Sequence, residues 1–192
     1  MQDDVFTCPL TGFSVRRPDG WAFMPGARAV AERSGLGAAP GSERRRLLDA
    51  GGTPIAVLTR PHGSARHVDP TVQLFRRFFA VPADLRELGR AVQASLPKVL
   101  DRCRFQELTT SAILGGRRAL RYLVEYSIVQ TPGVVYRCRC LGHIITCGPY
   151  ALTLTLASST AKRYRFDADL GAVLASASFR PPTHGGLDGW PG

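Results

Sequence analysis

The stretch from Ile113 to Ala157 constrains the fold more than any other part of the chain. It reads as three antiparallel strands: Ala119 to Gln130, a Thr131-Pro132-Gly133 turn, Val134 to Thr146, a Gly148-Pro149 turn, and Tyr150 to Ala157. Along the first strand Leu120, Tyr122, Val124, Tyr126 and Ile128 alternate with Arg121, Glu125 and Ser127, and along the third Tyr150, Leu152, Leu154 and Leu156 alternate with Ala151, Thr153 and Thr155. Period two means a pleated strand with at least one buried side. Proline and glycine fall where the chain must reverse.

Around this meander the other elements follow in order. Phe6 to Cys8 and Phe13 to Arg17 form a hairpin that ends at Pro18-Asp19-Gly20-Trp21, with Trp21 and Phe23 closing over the core edge. Gly26 to Ser42 has weak periodicity and reads as a loop or frayed helix. Arg46 to Leu48 and Ile55 to Thr59 suggest a second hairpin around Gly51-Gly52. Asp69-Pro70 has the chemistry of a helix start, so residues 69 to 80 are expected to be helical. Asp84 and Glu87 make a capping-box pattern for a second helix with Leu85, Leu88, Val92, Leu96, Val99 and Leu100 at helical spacing, kinked or restarted at Pro97. Phe105 to Ile113 is a strand, and Gly115-Gly116 a turn. Asp167 caps a last helix with an inward stripe of Leu170, Val173, Leu174 and Ala177, anchored by Phe179. Strands, helices, strands, helix define an α+β class, an antiparallel sheet with helices packed on it. Residues 1–180 read as one domain, and 181–192 as a mobile Pro/Gly-rich tail.

Composition excludes several functions. The five cysteines are an odd number in a chain that needs no staples, which indicates reduced thiols and a cytoplasmic protein. The acidic start Met1-Gln2-Asp3-Asp4 resembles no signal peptide, and no apolar run is long enough to span a membrane; export is expected only if a leader has been removed. The net charge of +10 would suit a polyanion partner, but the arginines are scattered along the chain. Solvated sheet and loop faces explain them better than nucleic-acid binding.

Three motifs together resemble the PsbP/Mog-like superfamily: Gly12-Phe13-Ser14-Val15-Arg16-Arg17-Pro18-Asp19-Gly20-Trp21, Leu114-Gly115-Gly116-Arg117-Arg118-Ala119-Leu120, and Ser176-Ala177-Ser178-Phe179-Arg180-Pro181. They are similar to that family's opening strand and turn, its turn into a long strand, and its terminal helix ending. The resemblance implies an α/β/α sandwich around a central antiparallel sheet and no catalytic site. Within the bacterial branch, the meander and last helix look like those of the small chaperones for type VI secretion effectors, although this chain has a longer front half.

No constellation in the sequence announces chemistry. Cys138, Cys140, His143 and Cys147 are soft ligands close together, but in one strand Cys138 and Cys140 share a face with Tyr136 and Ile144, while His143 and Cys147 face the other way with Arg137 and Arg139. No metal or cofactor is expected. His62 and His67 lie in a loop with Ser64 and Asp69, without the strand-to-helix elbow of a nucleophile, and read as solvated. The chain is therefore expected to be a non-enzymatic protein-interaction module, a chaperone or adaptor; the alternative is a small-ligand or lipid carrier with an apolar pocket between sheet and helices. The partner, another protein or a second copy of the chain, is expected on Leu74, Phe75, Arg76, Arg77, Phe78 and Phe79 of the helix over 69–80, or on Arg121, Arg137 and Arg139 of the meander.

Overall fold

A computed structural model describes residues 4–24, 52–62, 67–79, 84–131 and 134–180. Its strands, in chain order, are β1 (Val5–Cys8), β2 (Phe13–Arg16), β3 (Ala22–Phe23), β4 (Ala56–Thr59), β5 (Thr71–Phe78), β6 (Asp101–Leu114), β7 (Arg117–Thr131), β8 (Val134–Cys147), β9 (Tyr150–Ser159) and β10 (Ser178–Phe179). The helices are α1 (Leu85–Val99) and α2 (Asp167–Ser176), with a short 3-10 turn at Lys162–Tyr164. Seven strands form one antiparallel sheet in the order β3-β4-β5-β9-β8-β7-β6, and β1-β2-β10 form a smaller one. The expected loop over 26–42, the first arm of the second hairpin at 46–48, and the tail from 181 lie outside the described residues.

The meander has the expected strands, each slightly longer than the alternation alone indicates. Its large sheet carries a buried cluster on each side. On one face α1 lays Leu85, Leu88, Val92, Leu96 and Leu100 against Leu120, Tyr122, Val124, Ile144 and Ala151. On the other, the small sheet and α2 bring Phe13, Val15, Trp21, Leu170, Val173 and Ala177 onto Leu58, Val72, Leu74, Ile145, Leu152, Leu154 and Leu156. This is the α+β sandwich expected from the sequence.

The helix expected over 69–80 is instead strand β5, hydrogen-bonded between β4 and β9. Thr71-Val72-Gln73-Leu74 alternates, but Phe75, Phe78 and Phe79 then put apolar residues on both faces around Arg76-Arg77, so the segment as a whole fits a helical period equally well. Asp69 accepts from the backbone N–H of His62 at 3.1 Å and caps no helix. Pro97 breaks nothing either: α1 runs through it as one helix to Val99. Asp84 stands at the N-cap of α1 without a side-chain capping bond. Asp167 is the first residue of α2 rather than its cap, a position taken by Phe166 in the left-handed region at φ +52°. Gly115 and Gly116, with φ +57° and +80°, make the two-residue hairpin turn between β6 and β7 that requires positive φ at both positions.

Candidate functional site

The alternation of β5 sorts its candidate residues. Leu74 is core, and Phe79 just beyond the strand packs into the cluster under α1. Phe75 is half-buried, while Arg76 and Arg77 are exposed and Phe78 is 65% exposed. Arg76 and Phe78 project on the side of the small sheet, where both meet Tyr150 of β9: the Phe78 and Tyr150 rings are 5.7 Å apart edge to face, and the Arg76 guanidinium lies 5.6 Å from the Tyr150 centroid.

From Tyr150 the contact series continues across the sheet. Phe78 pairs with Tyr150, and Tyr150 with Cys147. Arg117, at the start of β7, donates to the Cys147 sulfur at 3.8 Å and stacks 4.6 Å over Phe179, whose ring is 5.2 Å from Phe13. The result is a row at the turn end of the sheet, Phe78, Tyr150, Cys147, Arg117 and Phe179, with Arg76 leaning over it. Tyr150, Arg117 and Phe179 were not among the expected binding residues. They come from three segments far apart in sequence, and only strand register brings them together.

Arg121, Arg137 and Arg139 lie on the same side of the sheet but away from this row. Arg139 is held by Asp167 at 3.2 Å, Arg121 by Glu107 at 3.4 Å, and Arg137 is exposed. The expected candidates therefore do not form one surface. Arg17 is paired with Asp4, and Arg60 with Asp169 at 2.5 Å. Among the described residues, neither Arg76 nor Arg117 has a carboxylate partner; each is seated on an aromatic ring instead.

The other constellations resolve as packing. Cys140 and Ile144 face α1 while Leu141, Ile145 and Cys147 face the small sheet, so the strand divides the soft ligands as its alternation indicates. Cys103 of β6 joins Cys140, Tyr122 and Tyr126 under α1, a grouping not apparent in the sequence because it depends on the bulged pairing of β6 with β7. Burial pushes the Cys138 and Cys140 thiols up to about 12. His143 is 4% exposed, its Nδ1 is buried without a hydrogen-bond partner, and burial with the facing Arg121 charge lowers its pKa to about 4. His62 and His67 are not merely solvated: His67 stacks on Tyr164 at 4.1 Å and shares a 3.1 Å hydrogen bond with the Ser159 hydroxyl, and His62 packs 4.9 Å from the Tyr164 ring. Ser64 lies outside the described residues. No helix among the described residues is long and apolar enough to cross a membrane.

No protein-family model matches the chain. A stretch of 98 residues, 51% of the chain, is 40% identical to the heat-inducible transcription repressor HrcA of Nitratidesulfovibrio vulgaris, but it spans only 25% of that protein. Among solved structures, LpqN of Mycobacterium tuberculosis, described as involved in cell envelope biogenesis, is similar with a TM-score of 0.54 at 13% identity, over 88% of this chain and 83% of LpqN. CyanoP, the PsbP of Synechocystis sp. PCC 6803, is similar with a TM-score of 0.52 at 13% identity, over 92% of this chain and 91% of CyanoP. At such identity the likeness concerns architecture: the chain has a PsbP-like α+β fold.

Proposed function

We propose that the chain is a non-enzymatic protein-interaction module, a bacterial chaperone or adaptor, that docks its partner on the row from Phe78 to Phe179. The observation that carries this reading is Phe78, a large aromatic side chain left 65% exposed at the end of a central strand, set edge to face against Tyr150 and flanked by Arg76. Exposed aromatic and arginine side chains of this kind are the usual anchors of protein interfaces.

The electrostatics support a binding role over catalysis. Burial raises the Cys138 and Cys140 thiols, whereas a nucleophilic cysteine needs a lowered pKa, and a pKa of about 4 leaves His143 a weak base at neutral pH. The carrier alternative is less well supported, since α1 sits close on the sheet: a Cβ on Gly89 would stand 3.4 Å from Leu120 Cδ1. Five free cysteines suit a reducing compartment, which supports the cytoplasm.

Site-specific photo-crosslinking tests the proposal. A photoreactive phenylalanine analogue at Phe78, expressed in the cells that make the protein, should yield a discrete protein adduct that the same analogue at exposed Leu10 does not. Adducts that are absent, or identical from both positions, would rule out this face as the docking surface.

A further inference from the structure

Resting on the docking proposal, we infer that the occupant of the row is an extended acidic segment of a partner protein carrying an aromatic side chain between two carboxylates. Charge is the first argument. Arg17, Arg60, Arg121 and Arg139 are each neutralised by a carboxylate, whereas Arg76 and Arg117 present their guanidinium groups over rings on the same side of the sheet. A guanidinium seated over an aromatic ring keeps N–H donors for a carboxylate, and Arg117 does so even with one N–H directed at the Cys147 sulfur.

Spacing is the second argument. Arg76 is on β5 and Arg117 on β7, with β9 and β8 between them, so three interstrand steps of about 4.8 Å separate their strands by roughly 14 Å. An extended peptide advances about 3.3 Å per residue, so carboxylates four residues apart reach both arginines. A side chain midway between the two strands falls between β9 and β8, beside Tyr150 and Cys147, where the Tyr150 ring is there to meet an aromatic. A second copy of the chain fits poorly, because an isologous contact would bring these unneutralised arginines together in a protein of net charge +10. A nucleic acid would draw on a longer basic track than two arginines supply.

The test uses a fluorescein-labelled peptide pool with Glu at the first and fifth positions, Phe at the third and random residues elsewhere, titrated with the full chain at low salt and read by anisotropy. Saturable binding is expected. Replacing both Glu by Gln in the pool, or Arg76→Glu with Arg117→Glu in the protein, should weaken it at least tenfold, while Arg137→Glu should change it less than twofold. Thermal melts verify that the variants are folded. No saturable binding, equal binding of the Glu and Gln pools, or indifference to the double charge reversal overturns the inference. So does tighter binding of a 20-base-pair DNA or of phosphatidylglycerol vesicles, or self-association abolished by the same substitutions. If the pool fails while crosslinking at Phe78 still gives a discrete adduct, the docking face stands and its partner has other chemistry. If both fail, the docking proposal falls too.

Discussion

The Tyr122 ring lies across the face of Gly142, its direct cross-strand partner on β8, so closely that a Cβ on Gly142 would stand 2.0 Å from the ring Cζ. Glycine is disfavoured in a strand interior, but here its missing side chain is the space the ring occupies. Gly142→Ala must therefore displace a buried ring or the backbone, and a cost of about 1–3 kcal/mol is expected in urea unfolding. Adding Tyr122→Ala should recover part of that loss. Strict additivity of the two substitutions would contradict the contact.

At the β3 edge Trp21, expected to be core-facing, is buried just before that strand rather than at the end of one, and its indole Nε1 donates to Asp169 at 3.0 Å. The same carboxylate oxygen receives Arg60 at 2.5 Å, which ties β4 to the first turn of α2. Trp21→Ala should cost about 3–5 kcal/mol, chiefly through the cavity it leaves. A change below 1 kcal/mol would show that the site collapses around the loss or that the indole does not pack there.

His143 gives a pH dependence of defined sign. Its folded pKa is lowered to about 4 from an ordinary 6.5, so the unfolded chain binds the extra proton between those values. Its stability contribution is present above about pH 6.5 and is lost as pH falls toward 4, by roughly 1 kcal/mol per pH unit in mid-range. The difference in urea midpoint between wild type and His143→Leu should therefore change across that window. Parallel profiles would mean that this imidazole titrates normally.

The thiols should separate kinetically. With Cys138 and Cys140 raised to about 12 by burial, alkylation of the native protein at pH 8 should be slow at these two positions. Unfolding should expose five reactive thiols. Stoichiometric zinc in the purified protein, or fewer than five thiols, would overturn the reading of reduced, metal-free cysteines.

The meander was legible because its alternation is strong and Gly115-Gly116 fixes a turn type. The final helix was legible through Leu170 and Val173, both buried as expected. Strand β5 was not, because Phe75, Phe78 and Phe79 place aromatic residues on both faces and blur the period that distinguishes strand from helix, and Asp69-Pro70 supplied a false start signal. The candidate site suffered the same loss. Arg76 and Phe78 were identifiable as unusual side chains, but their neighbours Tyr150, Arg117 and Phe179 depend on register between distant strands.

The same correction reverses one expectation about β5. On a helix, Leu74 and Phe78 would share an outward stripe and both would tolerate truncation. On the strand they share a side, yet Leu74 faces the core at 2% exposure while Phe78 extends past it to 65%. Leu74→Ala should accordingly destabilise by about 2–5 kcal/mol, the usual range for emptying a packed leucine site. Phe78→Ser should fall within about 0.5 kcal/mol of wild type, since few of its atoms leave water on folding. Thermal melts of the two variants side by side decide the matter. If Phe78→Ser unfolds as readily as Leu74→Ala, the ring is part of the core, and the docking face has lost its anchor.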